Sequence, residues 1–199
     1  MVHFRFLNKV ASWPGVLYVL TRFGGKRGRC IALDRYYVSG EWDYFENAHS
    51  REIVKVVETY ARGGRILEMG CGPGGLAKCL DSNSFAFYLG VDASPEAMRR
   101  AWKLESDRMR FEVGEIQTYR CREKYDVIVF DESLYYAPFF RRRLLRRYAA
   151  SLLPGGHFVV TVAHPGRFAG MIRMIRKNFT VVEDRSPSLG SKRVLLVFR

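Results

Sequence analysis

Paired cysteine chemistry is missing from this 199-residue chain. Cys30, Cys71, Cys79 and Cys121 form no C-x-x-C pair and have no histidine at zinc spacing, which excludes a zinc module and leaves free thiols in a reducing compartment. No segment approaches the roughly 18 continuous apolar residues of a membrane span, so a transmembrane anchor is not expected. The first residues, MVHFRFLNKV, carry no signal-peptide core and no small-residue cleavage site, and the cytoplasm is the expected location. Internal repeats, low-complexity runs and interdomain linkers are absent too. Acid is scarce: 20 Asp and Glu stand against 33 Lys and Arg, a net charge of +13. That balance either aids solubility or favours a polyanionic partner, nucleic acid or an anionic membrane surface.

What is present reads as one soluble, globular domain, with 48% hydrophobic and 14% aromatic residues. Residues 1–33 read as an N-terminal cap or extension: Trp13 to Leu20 is apolar and aromatic, and the basic, Gly-rich turn GGKRGR follows. Residues 34–199 form the main domain. It opens on an aromatic group containing Tyr36, Tyr37 and Trp42. In HSREIVKVVETYARG, helical spacing of Ile53, Val54, Val57 and Tyr60 predicts a helix ended by Gly63 and Gly64.

Strands and helices alternate from there. RILEM, FAFYLGVD, MRFEVGE, YDVIVFDE and HFVVTVAH read as strands; GGLAKCL, PEAMRRAWKLE and FFRRRLLRRYAASLL read as helices. Ser94 is placed as an N-cap with Pro95 at the first helical position, and Pro154-Gly155-Gly156 as a turn. Such alternation predicts a mostly parallel α/β sheet with helices on both faces. FTVVEDR and KRVLLVFR are joined by SPSLGS, too short for a crossover, so the seven-stranded sheet should end in an antiparallel hairpin.

Residues Ile66 to Leu80, ILEMGCGPGGLAKCL, run from a strand through a glycine-rich turn into a helix N-terminus, where bare backbone N–H groups admit a ligand closely. Gly70, Gly72 and Gly75 fit the dinucleotide pattern G-x-G-x-x-G; Glu68, Gly70, Gly72 and Gly74 fit E-x-G-x-G-x-G. The carboxylate separates the two. Two residues before the first glycine it would repel a pyrophosphate and attract a cationic cofactor. At this point the chain resembles the class I S-adenosylmethionine-dependent methyltransferases, whose Rossmann-like sheet also ends in an antiparallel hairpin.

The resemblance implies S-adenosylmethionine as the cofactor and no metal. It implies that Glu68 serves the methionine end and that Gly70, Gly72 and Gly74 allow close backbone approach. Asp92, with Ala93 beside it, would take the ribose hydroxyls; Glu115 would accept from the adenine amino group, with Ile116 on the ring; Tyr36, Tyr37 and Trp42 would fold over the cofactor. Where nucleic-acid base methyltransferases carry an Asn/Asp-Pro-Pro-aromatic tetrad, this chain has Asp131-Glu132-Ser133-Leu134-Tyr135-Tyr136, and it has no Pro-Cys dipeptide. The E-x-L-Y-Y form is similar to small-molecule N- and O-methyltransferases of the nodulation S type. Glu132 is then a candidate to orient or deprotonate the acceptor, Tyr135 and Tyr136 to wall the site, and His164 to act as a base. The arginines of 141–147 read as a solvated helix face or a phosphate-docking patch. The resulting expectation is methyl transfer to nitrogen or oxygen of a small-molecule acceptor, with an RNA-modifying enzyme or a non-catalytic cofactor-binding scaffold as rivals.

Overall fold

The computed structural model describes residues 19, 25–40, 51–137, 139–185 and 193–199. Its elements are α1 (Lys26–Val38), α2 (Arg51–Ala61), β1 (Arg65–Met69), α3 (Gly75–Cys79), β2 (Phe87–Asp92), α4 (Pro95–Ala101), β3 (Met109–Val113), β4 (Tyr125–Phe130), α5 (Arg141–Ala149), β5 (Leu152–Val162), α6 (Ala169–Asn178), β6 (Val181–Arg185) and β7 (Val194–Phe198). A 3₁₀ turn at Trp102–Leu104 extends α4 and another, Leu134–Tyr136, follows β4. The seven strands form one sheet in the order β3-β2-β1-β4-β5-β7-β6. Strands β1 to β5 are parallel, β7 runs antiparallel to β5, and β6 antiparallel to β7, as the short C-terminal link requires.

Alternation along the strands divides the core. Leu67 and Met69 of β1 face the layer in which Leu144, Leu145 and Tyr148 of α5 pack beside Met171, Ile172 and Ile175 of α6. Ile66 faces the opposite layer, with Ile53, Val56 and Val57 of α2 and Ala97 and Met98 of α4. Period two therefore puts Glu68 on the α2 and α4 side, among apolar residues, where it meets Tyr88. Ser94 caps α4 as expected: its Oγ accepts from the Ala97 N–H at 3.0 Å.

Three local features differ from the sequence reading. The GGKRGR stretch is not a turn beyond Gly25, because α1 begins at Lys26, and the boundary drawn at 33/34 falls in the middle of that helix. Asp34 of α1 accepts from the Glu96 N–H at 3.1 Å, and Arg100 of α4 donates to the Tyr37 carbonyl at 2.8 Å, so α1 is pinned to the main domain. The Pro154-Gly155-Gly156 turn lies inside β5; Gly155 at φ +80° and a register shift against β4 bend the strand without ending it. Helix α6 has no counterpart among the expected elements, although the order Met171, Ile172, Ile175, with Arg173 between and Arg176 and Lys177 after, carries its period. No helix among the described residues is long and apolar enough to cross a membrane.

Candidate active site

In an open parallel sheet the crevice forms where the winding changes direction, here between β1 and β4. A cleft of roughly 840 Å3, its open mouth included, lies there. Its wall is built from five places: the turn after β1 (Glu68, Gly70, Cys71, Gly72, Pro73), the end of β2 (Asp92, Ala93), the loop after β3 (Gly114 to Gln117), the end of β4 (Asp131 to Ser133, with Tyr136) and one side of α1 (Arg29, Leu33, Tyr37).

The turn is held by crowding as well as by hydrogen bonds. Gly70 has φ +80°, and a Cβ there would stand 2.5 Å from the Ser133 Cβ. Its N–H donates to the Val91 carbonyl at 2.7 Å, and the Ser133 hydroxyl donates to the Met69 carbonyl at 2.5 Å, so the ends of β1, β2 and β4 close on one another. Gly72, at φ +53°, makes room for the Tyr37 hydroxyl, 2.7 Å from where its Cβ would be. This brings α1 directly over the turn.

Asp92 accepts from the Gly72 N–H at 3.0 Å and the Ser94 N–H at 2.8 Å. Burial nonetheless pushes its pKa up to about 6, with the nearby Asp34 charge adding to the effect. Glu68 is buried and accepts from the Tyr88 hydroxyl. Glu115 is buried as well; its Oε2 pairs with Arg29 of α1 at 2.9 Å, while Oε1 has no hydrogen-bond partner among the described residues. The neighbouring loop is braced from α5: Arg147 donates to the carbonyls of Gln117 at 2.8 Å and Ile116 at 3.1 Å, and Tyr148 to that of Ile116 at 2.9 Å. One arginine of the run expected to face outward is thus turned inward.

At the other end of the cleft Glu132 has φ +50°, an uncommon conformation for a residue with a side chain. Its Oε2 accepts from the Ala163 N–H at 2.7 Å and its Oε1 lies 3.2 Å from Arg193. Burial raises its pKa above the usual glutamate value, against the pull of the Ala163 N–H and the Arg193 charge. Asp131 beside it accepts from the Thr161 hydroxyl.

Glu68, Gly70, Gly72, Asp92, Ala93, Glu115, Ile116, Tyr37, Glu132 and Tyr136 are brought together in this cleft. Gly74 does not line it: the space its Cβ would take adjoins Leu104 and Phe111. His164 is exposed in the turn after β5 and is not part of the wall. Tyr135 stacks on Phe168 at 4.5 Å, and Tyr36 packs beside Ala32; neither lines the cleft. Trp42 lies outside the described residues. Arg29, Leu33, Asp131 and Ser133 also line the cleft without having been anticipated. Only the last two had a visible signal, their place at a strand's carboxyl end.

The sequence matches the family model of the methyltransferase domain over residues 42–185. The chain belongs to that family, and with it to the class I S-adenosylmethionine-dependent methyltransferases. Among solved structures, the N-methyltransferase NodS of Bradyrhizobium japonicum WM9, in complex with S-adenosyl-L-homocysteine, shares 24% identity; the match covers 79% of this chain and 90% of that one, with a TM-score of 0.63. A TehB-like methyltransferase of Corynebacterium glutamicum shares 20%, over 84% and 97% of the two chains, at 0.65. The glycopeptide N-methyltransferase MtfA, complexed with S-adenosylmethionine, shares 15%, over 76% and 87%, at 0.62. These likenesses bear on the fold. No curated protein matches the sequence.

The residues present fit the family's cofactor, S-adenosylmethionine. The buried Glu115 Oε1 is an acceptor left unsatisfied, which an exocyclic amine would satisfy. Asp92, which accepts from backbone N–H groups, keeps acceptor capacity for a ribose hydroxyl. Glu68, Asp131 and Glu132 make the rest of the wall acidic, a surrounding suited to a sulfonium and an ammonium.

Proposed function

We propose that this methyltransferase acts on nitrogen, or secondarily oxygen, of a small molecule, with Glu132 as proton acceptor. The observation that carries the reading is the position of Glu132: buried in the cleft wall, in a left-handed backbone conformation, with its pKa raised by burial. In the proposed assignment Asp92 holds the ribose, Glu115 and Ile116 the adenine, and Glu68 with the turn at Gly70 and Gly72 the methionine end. When bound, the cofactor supplies an electrophilic methyl group on a sulfonium. Glu132 then accepts the proton that a cationic amine must release to free its lone pair, or that a neutral acceptor sheds as its bond to the methyl carbon forms, and its raised pKa makes it a stronger base than an exposed glutamate. Tyr136 and Tyr37 wall the same end and exclude water, and placing the acceptor in line supplies much of the acceleration.

Nitrogen is favoured because three carboxylates attract a cationic amine to this end. The same carboxylates repel a phosphate backbone, and the tetrad that grips a nucleic-acid base is absent; both weigh against RNA as the acceptor. Two of the structural neighbours are described as N-methyltransferases, which agrees with the choice. Incubation with methyl-labelled S-adenosylmethionine and a panel of amines, phenols, sugars and RNA tests it. The expected result is labelled amine, with turnover lowered roughly a hundredfold in Glu132→Gln. Label in RNA alone, or undiminished turnover in the variant, would overturn it.

A further inference from the structure

Between residues 133 and 182 the chain has nine arginines and lysines and not one acid. This stretch builds α5 and α6, which pack side by side on the same layer through Leu144, Leu145, Met171 and Ile175. Their apolar sides face the sheet, so the outer surface is basic: Arg142, Arg143 and Arg146 of α5 and Arg173 and Lys177 of α6 are exposed. Arg142 reaches Asn178 at 3.4 Å, which ties the two helices into one continuous face.

At the start of α5 two aromatic rings are largely exposed. Phe139 is 61% exposed and Phe140 80% exposed, the two most exposed phenylalanines among the described residues. Phe140 also has φ +56°, a conformation a bulky side chain rarely adopts, so both backbone strain and exposed apolar area are spent there. The 3₁₀ turn just before them carries Tyr136 of the cleft wall, and Arg141 donates to the Tyr135 carbonyl at 3.3 Å. The basic face and its aromatic tip therefore adjoin the mouth of the active site.

We infer that this face docks the enzyme on an anionic lipid bilayer, with Phe139 and Phe140 entering the headgroup boundary and the arginines of α5 and α6 on the anionic headgroups. Exposed apolar rings beside clustered cations are the combination that binds an anionic interface, since each contribution alone is weak. A nucleic acid would satisfy the charge. It could also stack bases on the two rings, tilted 47° to one another, but the aliphatic residues that accompany the chain's other basic run, Val16, Leu17, Val19 and Leu20, offer no stacking face and favour the bilayer. The sequence repeats the pairing of apolar with basic residues at 13–27, Trp13 to Leu20 followed by Arg22, Lys26 and Arg27. Docked in this way, the cleft mouth lies beside the membrane surface, and an acceptor carried there reaches Tyr136 without leaving it. The inference stands on the surface alone and does not depend on which acceptor is methylated.

Co-sedimentation of the full chain with vesicles of phosphatidylcholine, and of phosphatidylcholine with phosphatidylglycerol, tests it. Binding is expected only to the second, weakening as salt rises. Phe140→Asn, which also relieves the backbone conformation, and the triple change Arg142→Glu, Arg143→Glu, Arg146→Glu should each weaken partition roughly tenfold or more. Unchanged thermal unfolding of both variants would assign the loss to the surface. Equal binding to both vesicle types, binding unaffected by both sets of changes, or binding of single-stranded RNA with none to anionic vesicles would overturn the inference.

Discussion

Replacing Asp92 with asparagine should uncouple the stability of the protein from its use of the cofactor. The carboxyl is buried, and its pKa of about 6 lies above the ordinary aspartate value of 3.8. The native state thus binds more protons than the unfolded chain between those values, and stability falls as pH rises through that window. Integrated over the roughly two-unit shift, the charge on Asp92 costs the native state about 3 kcal/mol above pH 6, a cost absent below about pH 4. Asparagine keeps the shape, carries no charge and offers one acceptor oxygen, so one of the bonds from Gly72 and Ser94 is weakened at every pH. Wild type and Asp92→Asn should therefore differ in slope: across the window the wild type loses about 3 kcal/mol that the variant retains. Urea denaturation of both proteins through that pH range reads the difference directly, and the other titrating groups, Glu132 included, cancel between them. The same variant should lose S-adenosylhomocysteine binding. Parallel pH profiles, or wild-type affinity in the variant, would refute the argument.

Other consequences are as specific. Arg29→Met leaves the buried Glu115 carboxylate without its cation and should cost about 1 to 3 kcal/mol in urea denaturation, part of it recovered when Glu115→Gln is added; no loss would deny the ion pair its role. Gly70→Ala forces a Cβ to within 2.5 Å of the Ser133 Cβ at φ +80° and should lower stability by about 2 to 4 kcal/mol, with a reduced melting temperature by circular dichroism; a variant as stable as wild type would contradict the geometry of the turn. Tyr88→Phe strips Glu68 of its hydroxyl donor and should cost about 1 to 3 kcal/mol, and an unaltered melting temperature would count against that bond.

Much of the fold was legible because its signals are local. RILEM is a strand over its full length, Ser94 caps the helix it precedes, and a six-residue link could only make a hairpin. The glycine turn and Asp92 were legible for the same reason: a strand, a turn and a strand-end acid keep their spacing in the sequence. What escaped was long-range. Arg29 meets Glu115 across 86 residues, and Tyr88 meets Glu68 only because β2 lies beside β1 in a particular register. His164 reads as a strand end on the ligand side, but β5 stops at Val162 and His164 faces solvent in the turn beyond it. Gly74 fits the pattern but answers to Leu104 and Phe111, so one of the three glycines is needed for packing. Helix α1 was misread because its glycine and arginines resemble a turn; it is held by tertiary bonds through Asp34 and Tyr37 that local propensity does not contain.

The acidic, glycine-lined cleft between β1 and β4 should bind a cationic methyl donor in preference to a pyrophosphate cofactor. Calorimetric titration of the purified chain with S-adenosylhomocysteine and, in parallel, with NAD tests it most directly. Micromolar binding of S-adenosylhomocysteine with no heat from NAD is the predicted result; binding of NAD without S-adenosylhomocysteine would contradict it.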